Sequence, residues 1–200
     1  MRLWSEVDVL ESIRAARVVP VVRRPSAAEA TELCERLLAL GTPVIELTAT
    51  TPDWPSVLNR LWRTSPGTTI GVGTVTTPET ARSAVGEGAA FLVSPYPAAG
   101  VRAVADDHGV PFIEGGFTPG ELAASTAVGV AKLFPASSGG IRHLKAVLDV
   151  LPGARIIPTG GIALDQVGDW LAAGAYAVGV GTDLATRPDA AELLRRLTGR

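Results

Sequence analysis

Lysine is nearly absent from this chain: against 16 arginines there are only Lys132 and Lys145. Cysteine occurs once, as Cys34, which rules out an internal disulfide and a metal site built from several thiolates. The two histidines, His108 and His143, are too few for a histidine-rich metal centre, so no metal is expected. Charged residues make up 19% of the sequence and the net charge is −2, with both signs scattered. No basic stripe argues for nucleic acid and no polybasic patch for a membrane. No apolar run approaches the roughly 20 residues of a membrane span. The opening "MRLWSEVDVLESIRAARV" lacks the long apolar stretch of a signal peptide. There Val9, Ile13 and Val18 fall among charges, as in an amphipathic helix over about residues 5–16. What remains is a soluble, cytoplasmic protein with neither nucleic acid nor membrane as partner. At 46% hydrophobic, its 200 residues can bury the core of one domain spanning 1–200.

Short β-branched runs alternate with longer Ala/Leu/Glu/Arg segments. The runs lie at 18–22, 44–47, 69–75, 91–94, 111–116, 130–134, 155–161 and 177–181. In "SAAEATELCERLLALG" (26–41), Ser26 is placed as N-cap with Glu29 completing a capping box. Ala30, Leu33, Leu37 and Leu40 give a stripe of helical period, and Gly41 marks its stop. Strand–helix alternation repeated eight times, with apolar strands, indicates parallel strands covered by helices. Eight units favour a closed (β/α)8 TIM barrel of the α/β class over an open sheet, here with a short N-terminal helix. The C-terminal strand ends of such a barrel form its active face, and glycines gather there: Gly73, Gly115, Gly116, Gly160, Gly161, Gly179 and Gly181.

Lys132 interrupts the apolar run "VAKLFP" near the end of the sixth strand. Burial disfavours the charged form of an amine, and a neutral amine can attack a carbonyl to form a Schiff base. Lys145 lies four residues before Asp149 on a helix, where a solvated ion pair is expected. Glu46 interrupts "PVIEL" in the second strand, and alternation puts Val44, Glu46 and Thr48 on one face, the inner one. A carboxylate there needs a partner or a task, and with Lys132 it supplies a nucleophile and a general acid/base. "PTGGI" (158–162) and "GVGTDL" (179–184) follow the last two strands, where barrels often bind phosphate through backbone N–H groups. Arg23 and Arg24 end the first strand as a solvated pair or as a fork for a carboxylate, and Thr74 adds a hydroxyl at the end of the third. Trp4, Trp54, Trp62 and Trp170 read as helix packing, and Asp106, Asp107 and His108 as surface.

From about Val18 to Leu184 the chain resembles the KDPG/KHG aldolases, class I lysine-dependent aldolases of 2-keto-3-deoxy-phosphosugar acids. "KLFPASSGG" is similar to the family's Schiff-base segment and "VIELTATTPDW" to its glutamate strand; "GVGTV", "VSP", "PTGGI" and "GVGTDL" look like its other signatures. The resemblance implies Lys132 as imine lysine and Glu46 as acid/base. Arg23, Thr74 and Thr159 would bind the substrate carboxylate, and Gly160, Gly161, Gly181 and Thr182 the phosphate. It implies cleavage of a 2-keto-3-deoxy-6-phospho sugar acid to pyruvate and glyceraldehyde 3-phosphate, without a cofactor, by a homotrimer. Members acting on gluconate-type substrates often carry an arginine four residues after the glutamate, where this chain has Thr50. The galactonate-type branch carries one at the end of strand one, which Arg23 matches. Glu114 stands where the family usually has proline, and so places a second carboxylate near the pocket. Two other readings stay open on this scaffold: a 4-hydroxy-2-oxoglutarate-type aldolase and a non-catalytic phosphosugar-acid binding protein.

Overall fold

A computed structural model describes residues 5–198 and places α1 at Glu6–Ala16, capped by Ser5 and Asp8 in a reciprocal box. Strands and helices then alternate: β1 Val18–Val22, α2 Ala27–Ala39, β2 Val44–Thr48, α3 Trp54–Thr64, β3 Thr69–Gly73, α4 Pro78–Gly86, β4 Leu92–Val93 and α5 Ala99–His108. The second half follows with β5 Phe112–Gly116, α6 Pro119–Ala127, β6 Ala131–Leu133, α7 Ala136–Val150, β7 Ile156–Pro158, a 3-10 turn at Leu164–Gln166, α8 Val167–Ala172, β8 Val178–Val180, α9 Thr182–Thr186 and α10 Ala190–Thr198. Every strand pair is parallel, in the order β7-β6-β5-β4-β3-β2-β1-β8. A parallel bridge between Thr159 and Gly179 joins β7 to β8 and closes the ring. All eight expected runs become strands. Most are shorter than the runs, since the ends of a run turn into loop once the register with a neighbour is exhausted. β4 keeps only two residues.

The helices start where the side chains favour it. Thr77 and Thr118 cap α4 and α6, each followed by proline, whose missing N–H costs nothing in a first turn. Ser26 caps α2, but the expected box is half formed. Its hydroxyl accepts the Glu29 N–H at 3.3 Å, while the Glu29 carboxylate turns to the Arg24 guanidinium and the Ser26 hydroxyl. Of the predicted stripe, Ala30, Leu33 and Leu37 are buried together with Cys34, whereas Leu40 is the C-cap and half-exposed. Trp54 and Trp170 are buried, Trp62 donates to the Gly88 carbonyl at 2.7 Å, and Trp4 lies outside the described residues. Lys145 and Asp149 are both exposed on α7 without the expected ion pair.

Two hydrophobic layers result. The larger fills the space between strands and helices. The smaller lies inside the ring, where Val9, Leu10, Ile13 and Ala16 of α1 plug its N-terminal end against Val19, Val44, Phe91, Ile113, Val130, Ile157 and Ala177. Each large apolar side chain so buried contributes roughly 1.5–3 kcal/mol. The Tyr176 hydroxyl fastens the plug by donating to the Leu10 carbonyl at 3.0 Å. Phe91 takes up so much of the axis that a Cβ at Gly71 would stand 2.4 Å from its ring. Among the described residues no helix is long and apolar enough to cross a membrane.

Candidate active site

Strand alternation turns Lys132 of β6 and Glu46 of β2 to the inside of the ring, above the plug. Lys132 Nζ donates to Glu46 Oε1 at 3.2 Å, and the two residues are only 5% and 4% exposed. At that separation the attraction is about 5 kcal/mol with an effective dielectric constant of ~20. Removing both charges from water costs several kcal/mol for each ion, so the pair is not explained by stability. The room for it is made by Gly73 on β3: a Cβ there would lie 2.0 Å from Glu46 Oε1. The Phe134 ring centroid is 5.6 Å from Nζ.

Val19, Phe91, Val93, Ile113 and Ile157 give the small chamber around the pair an apolar lining. One polar atom on its wall is unanswered: Thr159 Oγ1 is buried without a hydrogen-bond partner. An unpaired buried hydroxyl costs about 1–3 kcal/mol. At the rim, Arg23 Nη2 donates to Thr74 Oγ1 at 3.0 Å. Thr74 has φ of 57°, a left-handed conformation unfavourable for a β-branched residue and worth about 1–3 kcal/mol of strain. The two arginines part company: Arg24 pairs with Glu29, and only Arg23 faces the rim, so no fork of both forms. Thr50 shares a hydrogen bond with Thr48 at 3.1 Å.

Gly160 and Gly161 follow β7 with φ of 97° and 71°. A Cβ on Gly161 would meet Ser137 Oγ at 2.5 Å. Gly181 and Thr182 begin α9 beside them, and Asp183 ties the two turns together by accepting the Leu164 N–H at 2.9 Å. Asp183 does not stand out in the sequence except by its place beside Thr182 in "GVGTDL". The expected second carboxylate is displaced: Glu114 points to the outer face of β5, where it accepts the Ala98 N–H at 2.7 Å and pairs with Arg102 at 3.1 Å. Alternation decides this, since Ile113 and Gly115 take the inward positions. Asp106, Asp107 and His108 are on the surface, and His143 Nε2 is 2.8 Å from the Phe117 carbonyl oxygen.

An amine and a carboxylate held together inside a (β/α)8 barrel are the equipment of a class I aldolase. The family model for KDPG and KHG aldolase matches residues 9–193. The 2-dehydro-3-deoxy-phosphogluconate aldolase of Pseudomonas aeruginosa is 35% identical over 84% of this chain and 77% of its own length. A Rhizobium meliloti protein named "Probable 2-dehydro-3-deoxy-6-phosphogalactonate aldolase" is 30% identical over 84% and 81%. The solved KDPG aldolase of Legionella pneumophila, with pyruvate captured at low pH as a covalent carbinolamine intermediate, superposes with a TM-score of 0.80 at 32% identity, covering 95% of this chain and 96% of that one. The chain belongs to the KDPG and KHG aldolase family, and it is a lysine-dependent carbon–carbon lyase.

Proposed function

We propose that this aldolase cleaves a 2-keto-3-deoxy-6-phospho sugar acid to pyruvate and glyceraldehyde 3-phosphate, with Lys132 as the imine-forming residue and Glu46 as the acid/base. The observation that carries this is the buried contact of 3.2 Å between them. Of the two lysines, Lys132 alone is enclosed. Lys132 passes a proton to Glu46 and adds as a neutral amine to the keto carbon C2; Glu46 returns the proton as water leaves, giving a protonated imine that draws electrons from the chain beyond it. Glu46 takes the proton of the C4 hydroxyl; the C3–C4 bond then breaks, its electrons pass into an enamine, and the aldehyde departs. Protonation at C3 and hydrolysis return the free amine and release pyruvate.

Arg23 and Thr74, joined at the rim, and the unpaired Thr159 hydroxyl are suited to hold the carboxylate. Gly160, Gly161, Gly181 and Thr182 offer backbone and hydroxyl donors to the phosphate. Arg23 stands in for the missing arginine at Thr50, which favours a galactonate-type substrate. The protein acts as a homotrimer of the cytoplasm, a state that its mass in solution tests.

Borohydride reduction with pyruvate should add the reduced ketoacid to Lys132 alone, and Lys132→Ala should abolish turnover. An unmodified Lys132 peptide defeats the assignment. Pyruvate release compared across gluconate-type, galactonate-type and 4-hydroxy-2-oxoglutarate substrates ranks the three.

A further inference from the structure

Next to Lys132 in the ring, strand β5 presents main chain rather than a side chain. Gly115 of β5 is in register with Lys132. Its inward position is taken by the loop after β4: a Cβ at Gly115 would lie 2.3 Å from the Pro95 carbonyl carbon and 2.5 Å from the Ser94 oxygen. Where the 94–98 loop sits therefore fixes how main chain packs against the strand beside Lys132.

The loop is held at both ends by adjacent residues of one strand. At its start the buried Ser94 Oγ accepts the Gly115 N–H at 3.2 Å and donates to the Tyr96 carbonyl at 2.7 Å. At its end Glu114 accepts the N–H of Ala98, the N-cap of α5, at 2.7 Å. The other Glu114 oxygen is held by Arg102 at 3.1 Å, whose guanidinium lies 4.6 Å from the Phe112 ring centroid. Both side chains are largely buried, at 13% and 21% exposure, so this is a sheltered, charge-assisted anchor.

We propose that Glu114, braced by Arg102, is a positioning residue that pins the 94–98 loop against β5 and so holds in place the strand beside the Schiff-base lysine. It acts from outside the barrel and touches no substrate. The proposal rests on Lys132 being the imine lysine.

Its test is a comparison of Glu114→Ala, Glu114→Gln and the wild type by kcat, KM, thermal midpoint and borohydride trapping of pyruvate. Glu114→Ala should still trap pyruvate on Lys132, since that residue and Glu46 are intact, but its kcat should fall about 10-fold, because displacing a reacting geometry by a fraction of an ångström is that costly. Glu114→Gln keeps an acceptor for the Ala98 N–H and should stay within about 3-fold of wild type. A wild-type kcat in Glu114→Ala overturns the proposal, whether or not its thermal midpoint drops, as does a Glu114→Gln enzyme equally slow. If Glu114→Ala does not fold, Arg102→Met loosens the same anchor and should lose about 3-fold in kcat; an unchanged rate there is equally fatal. Failure of the wild type to trap pyruvate removes the lysine assignment and this proposal with it, whereas trapping combined with an unaltered Glu114→Ala rate removes the proposal alone.

Discussion

Replacing Gly73 by alanine should disable the enzyme without touching either reacting residue. The new methyl would lie 2.0, 2.5 and 2.6 Å from Oε1, Cδ and Cγ of Glu46, where contacts below 3.0 Å are essentially never tolerated. Strand β3 is locked by register with β2 from Val44–Thr69 to Thr48–Gly73, so the carboxylate has to yield, by at least about 1 Å. Gly73 is ordinary extended backbone within β3, so strain in the main chain plays no part. A reacting group misplaced by about 1 Å can cost on the order of 10²-fold in rate. Breaking a buried pair also leaves a partner unsatisfied at about 3–5 kcal/mol. In a domain of this size that corresponds to a thermal midpoint lower by roughly 10 °C. The assay is pyruvate release together with thermal unfolding, with Gly67→Ala as control, since nothing lies within 4 Å of a Cβ there. Once Glu46 is itself truncated to alanine, Gly73→Ala should cost little more, because the two act through one clash. A Gly73→Ala enzyme within about 3-fold of wild-type kcat, or full additivity of the two changes, would refute the reasoning.

Two further outcomes are expected. Arg23→Ala removes the hydrogen bond to Thr74 and should weaken pyruvate binding about 10-fold, read as the pyruvate concentration that half-saturates borohydride trapping; equal affinity returns Arg23 to a solvated role. The Cys34 thiol is pushed up from 9.0 to about 12 by burial, with Glu35 adding to it. The folded state favours the neutral thiol, so the stability gained is fully present below pH 9.0 and is lost as pH rises toward about 12. Iodoacetamide at pH 8 should therefore label Cys34 only in unfolded protein, and rapid labelling of the folded enzyme contradicts the burial.

The barrel was legible because its strands are almost entirely buried and so read as β-branched runs between helical segments. Lys132 and Glu46 were legible for the same reason: an ionisable group inside such a run has no cheap place to go. Glu114 obeyed the same signal and was misplaced, because the run alone does not reveal which face of β5 a residue takes; the inward positions of Ile113 and Gly115 settle that. Arg23 and Arg24 could not be separated by composition, since what divides them is the distance to Glu29 on α2 and to Thr74 on β3. The left-handed backbone at Thr74 left no trace either, as nothing about a threonine announces a conformation it disfavours.

Helix α1, by stopping the lower end of the ring, turns the barrel into a blind shaft with one opening. Whatever reaches the buried Lys132–Glu46 pair then enters and leaves at the opposite end, past Arg23 and Thr74.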